Sequence, residues 1–518
     1  MANGYIGVAL PRGMPGSAGP QYVGQEHIKG VFTSDTLLPH SYDSGAGPDH
    51  AVSLAPLASW TATAYVSAIG GAAAHATASA LDLQRGVYEV VTPHSPLPTL
   101  GGNRSHCVQR TFAHYSLPHV LVTEFSCMNR ATAALSITIK QRRCPDSINQ
   151  SVFTPMATLC PKLNASTFTH GHTVVTRGTE MGYRRADEPS GMEGVTCTRS
   201  TMHVNESPDL APAVVGECHS EVPAEGLTYT VPATQTLLVS LVSARFTSMD
   251  AGVSIGSDGK AALNPTGADP VAQSKAAWSA ANGSAATLFA RHAAAIAALN
   301  APGVEVAGNL ELARVVNASM YSLLGSYRAD SPYSSAPEGL VSARYGGWAF
   351  WDVETWQLPT WLVFFPQQAR AALQYRVDRM HTARRNARTP VYPGAAPRAG
   401  LKYPTESAVT GVEQCVGNME DHVQGDIALA LRQYFYATGD TAWLRESGFP
   451  VMAGIAAYYA SRLTEGSDGL LHILHTTGPD EYASEKDAKL AQTLGQLQPF
   501  IAVFPQECVG QLASFGPT

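Results

Sequence analysis

At 518 residues the chain allows two to four units, at about 100–200 residues per domain, and excludes a single small module. Only 14% of it is charged, against an ordinary value of about 25%, and 45% is apolar, which provides for large cores and excludes a solvated, disordered chain. A net charge of −7 gives no general attraction to nucleic acid or to an anionic membrane, and no apolar run reaches the roughly eighteen residues that span a bilayer. The N-terminus, Met1-Ala-Asn-Gly-Tyr-Ile-Gly, lacks a basic stretch followed by a hydrophobic one. As written, the chain is expected to be soluble and cytoplasmic, without an export signal.

From residue 1 to residue 268 the pattern is short β-branched or alternating runs broken by turn residues. Strands are predicted at Val87–Thr92, Val120–Phe125, Ala134–Ile139, His172–Thr176 and Thr236–Val242. Many short strands with no intervening helical period predict an antiparallel sandwich or barrel. Cys107, Cys127, Cys144, Cys160, Cys197 and Cys218 fall in this stretch, with Cys415 and Cys508 outside it. None forms a C-x-x-C pair, so a closed zinc site is not expected. Acceptor patterns for N-glycosylation occur at Asn103, Asn149, Asn164, Asn205, Asn282 and Asn317. Chance matches arise in a chain rich in Ser and Thr, and free buried cysteines are common inside cells; the shared clustering still leans toward a secretory history.

Between Asp269 and Asn300 the sequence is Ala-rich and turn-free, most clearly over Ala285–Leu299, and a helical linker is predicted over 269–305. Beyond it, Leu310–Tyr327 carries Leu312, Val315, Val316, Met320, Leu323 and Leu324 at helical spacing. Further helices are predicted at Gln367–Arg388, Gly425–Ala437 and Thr441–Leu463. Gly439-Asp440 stands between the last two as a C-terminal glycine followed by an N-cap, the signature of a helical hairpin. Residues 306–482 are therefore predicted all-α, built of paired helices.

The densest chemistry is Tyr345-Gly-Gly-Trp-Ala-Phe-Trp-Asp-Val-Glu-Thr-Trp-Gln-Leu-Pro, with three tryptophans and two carboxylates. A sugar site needs a flat apolar ring for the C–H face of a pyranose and carboxylates for its hydroxyls. An aromatic core with surface carboxylates would give the same spacing. In Thr476-Thr-Gly-Pro-Asp-Glu-Tyr, Gly-Pro sets a turn that can present Asp480 or Glu481 from a rigid loop, although an ordinary turn also favours Asp there. Three other patterns lead elsewhere. Gly252-Val-Ser-Ile-Gly matches a nucleophile elbow but is followed by turn sequence instead of a helix. His170-Gly-His172 has no third metal ligand nearby. The basic run Arg376, Arg379, Arg384, Arg385 and Arg388 has Asp378 in its midst and suits a salt-bridged helix face.

Taken in order, an all-β half, a helical linker and an all-α half with Trp351-Asp-x-Glu-Thr-Trp356 and then Gly478-Pro-Asp-Glu-Tyr482 resemble glycoside hydrolase family 65. That family holds acid trehalases, protein-glucosylgalactosylhydroxylysine glucosidases, and maltose and kojibiose phosphorylases. Asn3-Gly-Tyr-Ile-Gly, Asn309-Leu-Glu-Leu-Ala-Arg, Tyr375-Arg-Val-Asp-Arg, Ala383-Arg-Arg-Asn-Ala, Glu406-Ser-Ala and Glu420-Asp-His-Val-Gln-Gly-Asp carry the resemblance further along the chain. It implies an N-terminal antiparallel β-sandwich over 1–268, a helical linker over 269–305, and an (α/α)6 toroid-type catalytic domain. It also implies inversion at an α-linked glucose: an acid protonates the glycosidic oxygen while activated water, or phosphate, attacks the opposite face. On matched positions Glu481 is the general acid, and Trp351 with Asp352 grips the glucose. Glu354, Trp356, Glu406 and His422 follow as substrate-site residues. The partner implied is a carbohydrate with an α-linked glucose; no metal or organic cofactor is expected, nor nucleic acid or membrane.

The departures from the family pattern set further expectations. Residues 306–482 would form only the first part of the toroid, 483–518 would be a divergent tail, and the catalytic domain would be incomplete in this chain. Thr405 stands where a tryptophan usually precedes Glu-Ser-Ala. The hydrolases' catalytic base and the phosphorylases' phosphate-binding residues belong to a segment the resemblance does not reach, so neither role is assigned. The expected activity is an inverting α-glucosidase acting on a disaccharide or on glucosyl-galactosyl-hydroxylysine. The alternatives are an acid trehalase, a kojibiose- or maltose-type phosphorylase, or an inactive sugar-binding fragment.

Overall fold

The computed structural model describes residues 1–8, 26–34, 49–54, 65–66, 78–93, 105–130, 132, 134–139, 167–170, 173–180, 195–202, 213–220, 226–258, 260–265, 267–341, 344–390, 395–413 and 419–479. Alternating apolar runs in the first half assemble into a nine-stranded antiparallel sheet. Its order is Thr167–His170, Thr173–Glu180, Val195–Met202, Ala213–Ser220, Thr236–Thr247, Val120–Met128, His106–Ala113, Val87–Pro93, Ala78–Asp82. Over the second half of Val120–Met128, Phe125 and Cys127 are buried while Glu124, Ser126 and Met128, which alternate with them, are partly open, the period of two expected of a half-covered strand. A three-stranded sheet of Leu227–Val231, Leu135–Ile139 and Tyr65–Val66 adds Val231, Ile137 and Ile139 to the core that holds Phe125, Cys127 and Leu241.

Directly opposed cysteines on neighbouring strands are joined in two places. Cys107 pairs with Cys127 and Cys197 with Cys218, each forming a disulfide across the ladder. The alternative of free buried thiols is thus excluded for these four residues.

The linker consists of the helices Pro270–Gly283 and Ala285–Asn300. Asp269 caps the first by accepting from the backbone N–H of Val271 and Ala272, and Pro270 sits where no intrahelical donor is needed. This helix lies against the nine-stranded sheet. Ser274 donates to the Gly216 carbonyl at 2.8 Å, and a Cβ on Gly216 would stand 2.3 Å from the backbone of Pro270 and Val271. The second helix buries Ala285, Leu288, His292 and Ile296, one stripe at helical spacing. His292 meets the Gly86 carbonyl through Nε2 at 3.0 Å and accepts from the Tyr115 N–H through Nδ1 at 3.1 Å.

The second half is helical: Leu310–Ser326, Leu358–Phe364, Pro366–Asp378, Met380–Arg388, His422–Thr438 and Phe449–Arg462. Trp361, Leu373, Ile427, Leu431, Trp443 and Ile455 lie in its core. The apolar stripe predicted for Leu310–Ser326 is only partly used. Tyr321 and Leu324 are buried, whereas Leu312 and Val315 are exposed, because the helix packs mainly through its C-terminal turns. Two predicted helices are interrupted. The run from Gln367 breaks at Arg379, and the run from Thr441 passes through a π turn at Leu444–Gly448 before Pro450. Gly439, at φ +67, ends His422–Thr438, and Asp440 accepts from the Trp443 N–H as the next cap.

The halves meet through a shared core in which Met249, Val253 and Ile255 pack with Tyr333, Trp348, Phe350, Ala408 and Val409. Polar ties cross the same boundary. Tyr333 donates to the Met249 carbonyl at 2.7 Å, and Lys29 donates to the Ser326 carbonyl at 2.7 Å with its ammonium 3.8 Å from the Tyr327 ring centroid. The aromatic motif is therefore seated between the two halves. Ser254, in the rejected nucleophile elbow, lies on Val253–Ile255, a strand that turns back to Ala261–Leu263 and not into a helix. His170 ends a strand, and His172 lies outside the described residues.

Candidate active site

A short 3-10 turn at Arg344–Gly347 precedes the aromatic motif, with Gly347 at φ +70, a conformation glycine adopts without strain. Trp348 and Phe350 then point into the shared core. Between them Ala349 exchanges two backbone hydrogen bonds with Ser407, at 2.8 and 3.1 Å, which sets the motif beside Glu406. Ser407 is held in turn by the Tyr375 hydroxyl at 2.6 Å. Trp351 and Asp352 follow, both half-buried. Burial raises the Asp352 carboxyl above its ordinary range, against the opposing pull of its own backbone N–H.

Val353–Gln357 is a π turn leading into Leu358–Phe364, whose Pro359 has no N–H to continue an ordinary ladder. The turn splits the predicted residues between inside and outside. Trp356 is 66% exposed and its ring lies 5.9 Å from Trp351, a second aromatic face on the same side. Glu354 points inward and is 3% exposed. Arg376 donates to both its oxygens, at 2.8 and 3.1 Å, and also to the Phe350 carbonyl at 3.4 Å. Glu354, expected from the resemblance among the substrate-site residues, has its carboxylate held in a buried bidentate ion pair that anchors the turn.

Glu406 lies in the buried segment 401–411. The backbone N–H groups of Thr405 and Glu406 both donate, at 2.9 Å, to the two oxygens of Glu413. Glu413 is raised by burial, against the influence of Lys402 and these two N–H groups. Its two bonds fix the direction of the chain at Glu406.

His422 opens the helix His422–Thr438, and its ring meets Trp351 edge to face at 5.3 Å and 90°. Its Nδ1 lies 2.8 Å from Asp426, one helical turn on, and its Nε2 lies 3.4 Å from Glu420. Burial alone would lower its pKa, but the two carboxylates prevail and raise it to about 9. The two carboxylates thus favour the imidazolium, and the ring lies perpendicular to that of Trp351.

The loop that leads to Asp480 and Glu481 is described up to Pro479; Asp480 and Glu481 themselves lie outside the described residues. The loop runs beside the residues that precede His422. Thr477 N–H and the Thr476 hydroxyl donate to the Met419 carbonyl at 2.8 and 3.1 Å. Trp351, Asp352, Trp356, Glu406 and His422 are thus gathered around one region, with the Gly478-Pro479 turn on its border. Arg376, Glu420 and Asp426 stood in the sequence within the basic run and the Glu420-Asp-His-Val-Gln-Gly-Asp motif, without a site role, and Glu413 was not singled out.

Residues 318–492 match the family model described as "Glycosyl hydrolase family 65 central catalytic domain". Over this segment the chain is similar to glycosyl hydrolase family 65. The match takes in Trp351, Asp352, Glu406, His422 and the Gly478-Pro479 turn. A protein-glucosylgalactosylhydroxylysine glucosidase from Dictyostelium discoideum is 42% identical over 197 residues, 35% of this chain and 26% of that protein. A kojibiose hydrolase from Flavobacterium johnsoniae is 33% identical over 189 residues, 36% of this chain and 27% of that protein. The chain spans only about a quarter of the length of these relatives. A solved structure named "Putative kojibiose phosphorylase from human microbiome" shares the fold across 93% of this chain and 59% of its own, with a TM-score of 0.60 and 14% identity.

Proposed function

We propose that the chain is an inverting α-glucosidase of family 65 that removes a terminal α-linked glucose from a small glucoside, of the glucosylgalactosylhydroxylysine or kojibiose type. The observation that carries this reading is the Trp351-Asp352 pair, half-buried in the family 65 domain and braced by the His422 imidazolium and the Glu354–Arg376 ion pair. An aromatic face with an adjacent carboxylate is what a pyranose requires: C–H groups on the ring, hydroxyls on the carboxylate. Glu406, directed by Glu413, supports a second polar contact. Glu481, assigned from its motif, supplies the proton to the glycosidic oxygen as the C1–O bond breaks and water attacks the opposite face. The toroid-type helical domain and the β-sandwich belong to the same reading.

The two cross-strand disulfides support folding in an oxidising compartment, since such bonds are rare where glutathione keeps thiols reduced. Among the described residues no helix is long and apolar enough to cross a membrane.

The test is glucose release by the purified chain from kojibiose, trehalose and glucosylgalactosylhydroxylysine, with Glu481→Gln as control. Loss of the acid is expected to lower kcat by about 10²- to 10⁴-fold. Release that requires added phosphate and yields glucose 1-phosphate would turn the assignment to phosphorolysis. Binding of glucose without turnover would make the chain a sugar-binding fragment.

A further inference from the structure

Arg462 is the last residue of the helix Phe449–Arg462, and its side chain is 3% exposed. On one side its Nε and Nη2 face Asp421 Oδ2 at 2.9 and 2.6 Å. On the other side Nη2 donates to two successive carbonyls, Leu474 at 2.8 Å and His475 at 3.2 Å. The guanidinium thus stands between the segment that opens the His422 helix and the loop that runs to Gly478-Pro479.

Asp421 is itself fully held. Its other carboxylate oxygen accepts from the Tyr458 hydroxyl at 2.6 Å, and its carbonyl accepts from the Tyr459 hydroxyl at 2.6 Å. Tyr459 also accepts from the Gly425 N–H at 3.1 Å, which ties the arrangement into the next turn of the helix. The loop side shows the effect. His475 sits at φ +53, a region that non-glycine residues enter only when their surroundings hold them there. Immediately after it, Thr476 and Thr477 bond the Met419 carbonyl, two residues before Asp421. A simple ion pair between helix ends would need neither the two loop carbonyls nor the left-handed residue.

We propose that Arg462 is a positioning residue for the acid that follows in sequence: fixed by Asp421, it sets the Leu474–Pro479 loop against the Glu420–His422 segment that braces Trp351. The proposal rests on the glucosidase reading for the role of Glu481. Its geometry does not. A general acid must reach the glycosidic oxygen, and a displacement of about 1 Å in such a group lowers the rate by roughly 10²-fold. Lysine keeps the charge facing Asp421 but lacks the planar fork that reaches the carbonyls as well.

The experiment compares the full chain with its Arg462→Lys variant on two substrates. Kojibiose needs protonation of its leaving group; α-glucosyl fluoride needs far less. The expected result is a fall in kcat on kojibiose of about 10²-fold, with KM within about threefold, and a fall on the fluoride of less than about fivefold. Equal losses on both substrates, or a loss carried by KM, would overturn the proposal. Hydrogen exchange gives a readout that does not depend on turnover. Faster exchange confined to the amides of residues 474–477 in Arg462→Lys supports the clamp, and unchanged exchange there overturns it. A wild-type chain inert on both substrates would sink the glucosidase reading alone. Should Arg462→Lys not fold, Thr476→Val, which removes one bond on the loop side, is expected to show the same split between substrates and the same local exchange, and absence of both would overturn the proposal.

Discussion

Glu354 and His422 show how much a single residue's role depends on what stands opposite it. The Glu354 carboxylate and the Arg376 guanidinium are each 1% exposed, so removing either partner strands a buried charge. Arg376→Met is expected to destabilise the fold by about 3–5 kcal/mol, measured by urea unfolding. If Glu354→Gln left stability unchanged but raised KM for a glucoside, the structural assignment of this carboxylate would be wrong. His422 makes the opposite kind of prediction. Its pKa in the fold, about 9, lies above the ordinary 6.5, so its contribution to stability is complete below about 6.5 and is lost as pH rises through 9. The ring signal of His422 should titrate near pH 9 by NMR, and Asp426→Asn should move that midpoint down. Trp351 and Asp352 drew attention in the sequence because tryptophan beside carboxylate is unusual in a core. The role of Glu354 was not legible there, because Arg376 lies 22 positions away on a different helix.

At the scale of elements, the linker helix Ala285–Asn300 is joined to the β half through a histidine that must be neutral. Burial lowers the pKa of His292 from 6.5 to about 4, although its contact with the Gly86 carbonyl favours the charged ring. His114 nearby is lowered to about 4 in the same way, by burial first and by His292 second. The unfolded chain therefore binds more protons than the fold between pH 6.5 and 4. Stability should fall as the solution is acidified through that window and be complete above it. The expected measurement is a thermal midpoint that drops from pH 7 to pH 4, with a shallower slope in His292→Gln. Elements themselves were well marked in the sequence, since the observed Thr236–Thr247 and Ala285–Asn300 contain the predicted runs. The interruptions were not. Arg379 leaves the helical path because its guanidinium reaches the Val409 carbonyl at 2.8 Å and stacks 3.6 Å from the Tyr375 ring centroid, contacts that no periodicity contains.

For the whole molecule, the β half is stapled within its own large sheet. Removing a native disulfide of this kind typically costs about 2–4 kcal/mol, so Cys197→Ala/Cys218→Ala and reduction with dithiothreitol should each lower the melting temperature. Calorimetry in the presence and absence of reductant is the check, and a midpoint indifferent to both would show that the bridges contribute nothing. The helical half should follow only in part, because it meets the β half through the Met249–Phe350 core and not through the disulfide-bearing strands.

The sequence by itself determined the all-β to all-α order, the helix caps at Gly439 and Asp440, and the aromatic-carboxylate motif that points to a sugar. Each is a local matter of side-chain period, turn chemistry or residue type, and such features do not depend on distant partners. Only the tertiary structure decided which cysteines pair, which way Glu354 points, and that two carboxylates flank His422 beside Trp351. Those outcomes depend on groups brought together across register, between helices and between the two halves. Burial then sets their protonation and partners, and one-dimensional spacing carries no measure of burial.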